Sequence, residues 1–211
     1  MTKDGNNGAA RFLPDQRDLA SLRRAAASCQ GCGLYRDATQ TVFGEGPRAA
    51  AFMLVGEEPG DQEDRQGHPF VGPAGRILDK GLNEAGIRRE DVYLTNAVKH
   101  FSFTLRGKRR IHQKPTAAEV DACLPWLNAE LAVVRPEVIV VLGATAGRAL
   151  LGRAFRVTHH RGEPVPLGEA LAVATVHPSA VLRAPDREAA YAGFLSDLRA
   201  AANVRGNSGN H

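Results

Sequence analysis

The chain has 211 residues, 43% of them hydrophobic, and its 27 lysines and arginines against 23 aspartates and glutamates give a net charge of +4. This length suits one well-buried domain, and the mildly basic charge is compatible with a polyanionic partner without identifying one. No apolar run approaches the roughly 20 residues of a membrane span, and the amino terminus has no signal-peptide core. We therefore expect a cytoplasmic protein that does not bind membranes.

Strands and helices are predicted to alternate along the chain. Four short apolar runs rich in β-branched residues predict buried strands, and a segment with helical spacing follows each of them. The strands are predicted at 51–56, 92–98, 137–142 and 171–176, and the helices at 74–85, 116–134, 145–151 and 186–201. The alternation predicts an α/β fold with parallel strands between two layers of helices. We expect a single domain over 15–203, with polar, glycine-rich, disordered ends at 1–14 and 204–211.

Polar segments follow all four predicted strands, at 56–61, 96–100, 143–145 and 177–179. In open α/β sheets, ligands bind beyond the carboxyl ends of the strands. The sequence therefore predicts that these loops converge on one site.

The first of these loops continues into an unusual stretch that contains Phe70 between Pro69 and Val71. An acidic loop with glycine turns is typically solvated, and that interpretation would suit most of its residues. A ring in so polar a context is better explained at the mouth of a site, where it can stack on a flipped base.

Two long motifs resemble the first and last motifs of the bacterial and archaeal family 4 uracil-DNA glycosylases. They are GEEPGDQEDRQGHPFVGPAGRIL, which starts at Gly56, and HPSAVLR, which starts at His177. The resemblance extends over roughly residues 29–198. It implies a three-layer α/β/α fold with a four-stranded parallel sheet, and uracil-containing DNA as the substrate.

The resemblance also implies a uracil pocket. In it, Phe70 stacks on the base, and Asn96 reads its polar edge because a side-chain amide supplies both a donor and an acceptor. Gly56 and Glu58 complete the predicted uracil-binding set. From the residues alone, Asn96 could equally cap a turn.

The same resemblance assigns the remaining chemistry. His177 would donate to a uracil oxygen as the base departs, while Glu57 and Asp61 would face the cationic sugar. In isolation, a His-Pro pair is more often structural. Ser179 and Arg183 are predicted to contact DNA, and the apolar segment 180–182 is predicted to enter the duplex as a wedge.

Three cysteines form no disulfide framework, and the Cys29-x-x-Cys32 pair indicates a metal instead. The resemblance implies a [4Fe-4S] cluster held by Cys29, Cys32 and Cys123, with His100 where the family has its remaining cysteine. Structural zinc with the same ligands stays open, as do three unconnected thiols, because Cys₃His is an ordinary zinc set.

An extra segment, FSFTLRGKRRIHQKP, follows His100. Lys108, Arg109 and Arg110 are interpreted as a solvated basic patch or as phosphate contacts. With the first motif and His100, this KRRIH run resembles the UdgX branch of the superfamily, whose members stay covalently attached to DNA. The branch often has glutamine where this chain has Glu58.

Carried onto this chain, the branch implies that His112 attacks the sugar C1′ carbon after uracil is removed. A neutral imidazole is a competent nucleophile at neutral pH. Two alternatives remain: a glycosylase that turns over and leaves a free abasic site, and a non-catalytic, metal-stabilised DNA-binding module. We also expect a monomer that prefers single-stranded DNA, where no base pair has to be opened.

Overall fold

The computed structural model describes the backbone of residues 8–208 and the side chains of residues 8–205. In chain order its strands are β1 (Phe52–Gly56), β2 (Val92–Asn96), β3 (Phe103–Arg106), β4 (Arg109–His112), β5 (Val138–Leu142), β6 (Pro164–Leu167) and β7 (Ala170–Thr175). The α-helices are α1 (Leu19–Ala26), α2 (Asp61–Gln66), α3 (Pro73–Glu84), α4 (Ala117–Val134), α5 (Ala144–Leu151), α6 (Pro178–Arg183) and α7 (Arg187–Ser208). Short 3-10 helices span Gly8–Phe12, Gly33–Arg36, Arg89–Asp91 and Val157–His159.

The central sheet has the strand order β2-β1-β5-β7-β6. Its first four strands are parallel, as the sequence predicts, while β6 pairs antiparallel with β7. The sheet thus has five strands rather than the expected four. Pro164 and Pro166 conceal the fifth strand in the sequence, yet proline is tolerated on an edge strand because one side of that strand needs no ladder donor.

The parallel strands are buried on both faces. Phe52 and Leu54 of β1 pack in a cluster with residues of α3 and α7, whereas Met53 and Val55 pack in a second cluster with residues of α4 and α5. Strands covered by helices on both sides read as unbroken apolar runs, which is why the sequence pattern located them well. The fold class is confirmed: an α/β protein with a largely parallel sheet between helices.

The segment that was expected to be an extra loop forms a β-hairpin of β3 and β4. Its register pairs Phe103 with His112 and Arg106 with Arg109. Gly107 opens the two-residue turn with a φ of 61°, a conformation that favours glycine. His112 therefore lies at the end of a short two-stranded sheet.

Both predicted ends need correction. Within the expected disordered segment 1–14, the 3-10 helix at Gly8–Phe12 packs on α4, and Ala9 lies buried in a cluster with Leu22 and Cys123. The predicted tail begins at residue 204, but α7 continues to Ser208. Residues 1–7 and 209–211 lie outside the described residues. Over the described range, no helix has the length and apolar character to cross a bilayer.

Candidate functional site

The carboxyl ends of β1 and β2 bring Gly56, Phe70 and Asn96 together. A Cβ added at Gly56 would lie 2.7 Å from Phe70 Cζ and would collide with Asn96 Oδ1. The missing side chain therefore keeps open the space between the ring and the amide. The Phe70 ring is also stacked towards the His177 ring, with centroids 6.2 Å apart.

Phe70 occupies a strained position that the surrounding loop enforces. Its φ is 58°, in the left-handed region that bulky residues rarely adopt. The buried Glu63 carboxylate accepts the Gly72 N–H at 2.7 Å and the Gly60 N–H at 3.1 Å, which fixes the loop on either side. A strained backbone conformation persists only where the surrounding contacts enforce it, and such conformations are concentrated at functional sites.

A buried polar network supports Asn96 from behind. Lys99 Nζ donates to the Asn96 backbone oxygen at 2.7 Å and pairs with Glu130 Oε2 at 2.5 Å, and the side chains of Lys99 and Glu130 are fully buried. The hydroxyls of Tyr93 and Thr95 also donate to Glu130, each at 3.0 Å. This Lys99–Glu130 network thus fixes the end of β2, where Asn96 sits.

His177 caps the amino end of α6 in a defined tautomer. Its Nδ1 accepts the Ser179 N–H at 3.2 Å, so in the neutral ring the proton lies on Nε2. Burial lowers the pKa of His177 to about 4, although the nearby Glu57 carboxylate acts in the opposite direction. At neutral pH His177 is therefore an uncharged hydrogen-bond donor through Nε2.

Glu57 is held beside His177 by residues that follow β5. The Thr145 hydroxyl donates to Glu57 Oε2 in a short hydrogen bond. Gly143, with a φ of 91°, lets that turn approach closely, because a Cβ there would stand 3.1 Å from His177 Cβ. The predicted convergence of the loops after all four parallel strands is thus observed.

His112 reaches this site from the hairpin and meets Glu58. The distance from His112 Nε2 to Glu58 Oε1 is 2.9 Å, with the carboxyl fully buried and the imidazole half-exposed. The contact is defined by distance, because neither Glu58 oxygen has a well-aligned hydrogen-bond partner among the described residues. Burial raises the pKa of Glu58 to about 8, against the opposing effect of His112.

The pKa of His112 is also raised, first by its hydrogen-bonding contact with Glu58. Each shift includes the effect of the other group, so Glu58 and His112 titrate as a coupled pair. Burial penalises charge most at the enclosed carboxyl, so Glu58 keeps its proton at neutral pH.

Arg110 and Asp61 are placed differently from the predictions. Arg110 Nε lies 2.5 Å from Asp61 Oδ1, and its Nη1 lies 2.6 Å from Asp64 Oδ2. The Arg110 side chain is only 12% exposed and lies over the rings of Phe101 and Phe103. Arg110 is therefore not a free phosphate contact, and Asp61 is committed to it. The three residues Arg110, Asp61 and Asp64 form a hairpin anchor that ties β4 to α2.

The other predicted DNA-binding residues divide in the same way. Lys108, Arg109 and Arg183 are exposed, as a phosphate contact requires. Ser179 is occupied in holding the His177 ring. Val181, placed in the apolar wedge from sequence, is instead 3% exposed within the core, so it cannot enter a duplex without unpacking α6.

The predicted metal ligands lie around α4 and the amino-terminal segment. Cys29 and Cys123 are buried, and Cys32 is partly buried. Cys29 Sγ accepts from the Trp126 indole at 3.2 Å, and Cys123 Sγ accepts from the Lys99 N–H at 3.3 Å. His100 Nε2 lies 2.9 Å from the Thr41 hydroxyl.

Across residues 8–205, no three His, Cys, Asp or Glu side chains gather as a metal site. The sulfurs of Cys29 and Cys123 each accept an N–H donor, as the sulfurs of an iron–sulfur cluster do. Three cysteines and one histidine are also an ordinary zinc set, so both groups remain candidates.

The parallel sheet with a cluster of polar groups at its strand ends defines an α/β fold, and the sequence comparison identifies its family. Residues 43–199 match the family described as the uracil DNA glycosylase superfamily, and the chain belongs to that superfamily.

Its relatives include three proteins named type-4 uracil-DNA glycosylase. The protein from Thermotoga maritima is 41% identical over 157 residues, covering 74% of this chain and 78% of the relative. Those from Pyrobaculum aerophilum and Archaeoglobus fulgidus are 34% and 35% identical, covering 80% and 82% of this chain and 86% and 87% of the relatives.

Several supporting residues escaped the sequence analysis. Asp64 and Glu130 are separated by many residues from the side chains that they hold, so their roles could not be found from spacing. Thr145 lies in the segment 143–145 that was expected at the site, but its contact with Glu57 was not predicted. Lys99 offered a signal, because it is a charged residue within a predicted strand-end segment three positions after Asn96. A lysine in such a place needs a buried partner.

Proposed function

We propose that this protein excises uracil from DNA and that His112 then captures the exposed sugar, which leaves the protein covalently joined to the strand. One observation carries the proposal. Beside the cluster of Gly56, Phe70, Asn96 and His177, the half-exposed His112 imidazole contacts the buried Glu58.

The first step is binding of an extruded uracil. The Phe70 ring supplies a stacking surface, the Asn96 amide pairs with the polar edge of the base, and Gly56 leaves room for it. The Lys99–Glu130 network keeps Asn96 in place, so these groups need little rearrangement when the base enters.

The second step is cleavage of the bond between C1′ and uracil N1. Its electron pair moves onto uracil, and the neutral His177 stabilises the developing anion by donating from Nε2 to a ring oxygen. Glu57, held by Thr145, stabilises the positive charge on the sugar. The sequence analysis assigned the same role to Asp61. Because Arg110 pairs with the Asp61 carboxylate, we assign this role to Glu57 alone.

In the third step, the lone pair of His112 Nε2 forms a bond to C1′, and the Nδ1 proton leaves to solvent or to the uracil anion. The products are uracil and a sugar–imidazole adduct. The contact with Glu58 must open so that Nε2 can turn towards the sugar. A protonated Glu58 makes this easier, because it holds the imidazole less strongly than a carboxylate would.

A [4Fe-4S] cluster on Cys29, Cys32, Cys123 and His100 would act structurally, tying the amino-terminal segment to α4. These residues would hold the cluster, and none of the steps above passes through it. Brown colour and absorbance near 400 nm would support it, whereas a colourless protein containing zinc would contradict it.

A second candidate is a glycosylase that turns over and releases a free abasic site. The names of the type-4 relatives favour it. In that case water attacks C1′, and His112 only closes the site. A third possibility, a DNA-binding module without catalysis, is an outcome of the same experiment.

The test is a denaturing gel of protein mixed with a labelled, uracil-containing oligonucleotide, single-stranded or duplex. We expect a band that survives heat and SDS, at higher yield on the single strand. His112→Ala should abolish this band but retain some uracil release, whereas the exposed His159→Ala should behave as wild type.

Three results would contradict parts of the proposal. A heat-stable band with His112→Ala would exclude His112 as the nucleophile. Strand breakage only after alkali, without a stable band in the wild type, would support turnover. Binding without uracil release would support the non-catalytic module.

A further inference from the structure

A second concave region lies beside the uracil site and has no part in the steps above. It is a cavity of about 240 Å³ between the segment that follows the hairpin and the helices α4 and α5. Its walls include Lys114, Pro115, Val120, Thr145, Arg148 and Arg156.

The charge of this cavity is strongly positive. Arg153, also in its wall, is neutralised by Asp121 at 2.7 Å. Lys114 and Arg148 are exposed, and within the described residues neither has an ion-pair partner. The Arg156 guanidinium donates to backbone carbonyls, such as that of Ala154 at 3.0 Å. These bonds leave its positive charge uncompensated.

Thr145 links the cavity to the proposed active site. It lines the cavity and also holds Glu57, and Lys114 follows His112 by two residues. A DNA strand whose uridine sugar lies between Glu57 and His112 would therefore have a neighbouring phosphodiester within reach of this wall.

We propose that this basic pocket binds the backbone of the nucleotide next to the target uridine, with Lys114 and Arg148 contacting its phosphate. The inference rests on the proposed function. Lysine and arginine are the usual phosphate contacts, and such contacts hold the strand in register without reading its sequence. The pocket would thus fix the position of the uridine along the strand.

The test is the salt dependence of binding to a single-stranded oligonucleotide that carries 2′-fluoro-2′-deoxyuridine, which resists cleavage. Fluorescence anisotropy at several KCl concentrations gives the slope of log K against log salt. Each lost phosphate contact should reduce this slope by about 0.7 on a single strand, so Lys114→Gln with Arg148→Gln should reduce it by about 1.4.

The matched control is Arg48→Gln with Arg135→Gln. Both arginines are exposed and precede β1 and β5, so they lie at the amino ends of these strands, whereas the site lies at the carboxyl ends. We therefore expect a wild-type slope. Arg148→Lys should also keep the slope. Equal urea midpoints would establish that the variants are folded.

Oligonucleotides shortened on either side of the uridine sharpen the test. The difference between wild type and the double variant should vanish when the phosphates on one side, and not the other, are removed. An unchanged slope in the double variant would overturn the inference. Failure of the wild type to release uracil would instead overturn the proposed function, so the two failures are distinguishable.

Discussion

The proposed uracil pocket of Gly56, Phe70, Asn96 and His177 and the hairpin that carries His112 lie side by side on very different supports. Asn96 ends β2, a fully buried strand of the main sheet, and is backed by the fully buried Lys99–Glu130 pair. His112 ends a two-stranded hairpin in which Leu105 is 69% exposed and Ile111 is 39% exposed. An isolated hairpin is at best marginally stable in water. Its order therefore depends on the hairpin anchor of Arg110, Asp61 and Asp64.

This difference suits the two tasks. A base-binding pocket must be formed before the base arrives, because each misplaced hydrogen-bond partner lowers the stabilisation of the leaving group. The proposed nucleophile has to move, since His112 would have to leave Glu58 before it could bond to C1′. The comparison predicts that damage to the pocket support affects stability and excision, whereas damage to the anchor affects capture selectively.

The largest effect should follow from breaking the buried pair. Lys99→Met leaves the Glu130 carboxylate uncompensated in the core, and we expect a loss of about 3–5 kcal/mol in the free energy of unfolding. Urea denaturation measures it. Lys99→Met combined with Glu130→Leu should recover much of the loss, while Lys80→Met, at an exposed pair with Glu84, should cost less than about 1 kcal/mol. Equal losses at Lys99 and Lys80 would refute the buried network as a support.

The next effect concerns the pocket itself. In Gly56→Ala the new methyl would displace Asn96 and Phe70, and we expect single-turnover uracil release to fall on the order of 100-fold, as misplacement by about 1 Å can cause. Gly33→Ala is the control, because no atom lies within 4 Å of its added Cβ. Wild-type excision by Gly56→Ala would mean that the base binds elsewhere.

Breaking the hairpin anchor should separate capture from excision. Hydrogen bonds to charged groups contribute about 1.5–3 kcal/mol, so Arg110→Gln should lower the rate of adduct formation about 10- to 100-fold. Uracil release should change much less. Arg109→Gln, exposed on the same strand, should lose only DNA affinity. If Arg110→Gln slows release and adduct formation equally, Arg110 supports the whole site and not the hairpin alone.

The sheet and the pocket were largely accessible from sequence. Continuous apolar runs marked the four parallel strands, and the rule for strand ends brought Gly56, Asn96 and His177 to one edge. Phe70 was found because a ring between Pro69 and Val71 is unusual in an acidic loop. The local pattern predicts where these residues lie, whereas the roles of Asn96 and His177 come from the resemblance, because from the residues alone Asn96 could equally cap a turn.

The charged supports were not accessible for the opposite reason. A run of three cations typically indicates solvent exposure, and nothing local reveals that Arg110 is buried against Asp61 and Asp64, which lie 49 and 46 residues away. Lys108 and Arg109 follow the general expectation, while the register of the hairpin turns their neighbour inward. The direction of a side chain in a short hairpin depends on pairing, and one residue of slip would reverse it.

The smallest effect should come from Glu58, where the two regions meet. Its pKa is raised to about 8 by burial, so the carboxyl is protonated at pH 7 and loses its proton above pH 8. The resulting anion would oppose departure of the uracil anion. We expect excision to be level from about pH 6 to 7, to fall as the pH passes the Glu58 pKa of about 8, and to fall by no more than about tenfold per pH unit above it. His177, with its pKa lowered to about 4, does not titrate in this range.

Glu58→Gln keeps the shape and removes the titration, so its excision rate should stay level through pH 9, which initial rates of uracil release would measure. Stability provides an independent check. Between about pH 4.5 and 8 the folded protein binds the Glu58 proton more tightly than the unfolded chain, so this group makes the free energy of unfolding fall as pH rises. That slope should flatten in Glu58→Gln. If excision by Glu58→Gln still falls at alkaline pH, a group other than Glu58 is responsible for the fall. Glu58 would then not couple the pocket to the hairpin.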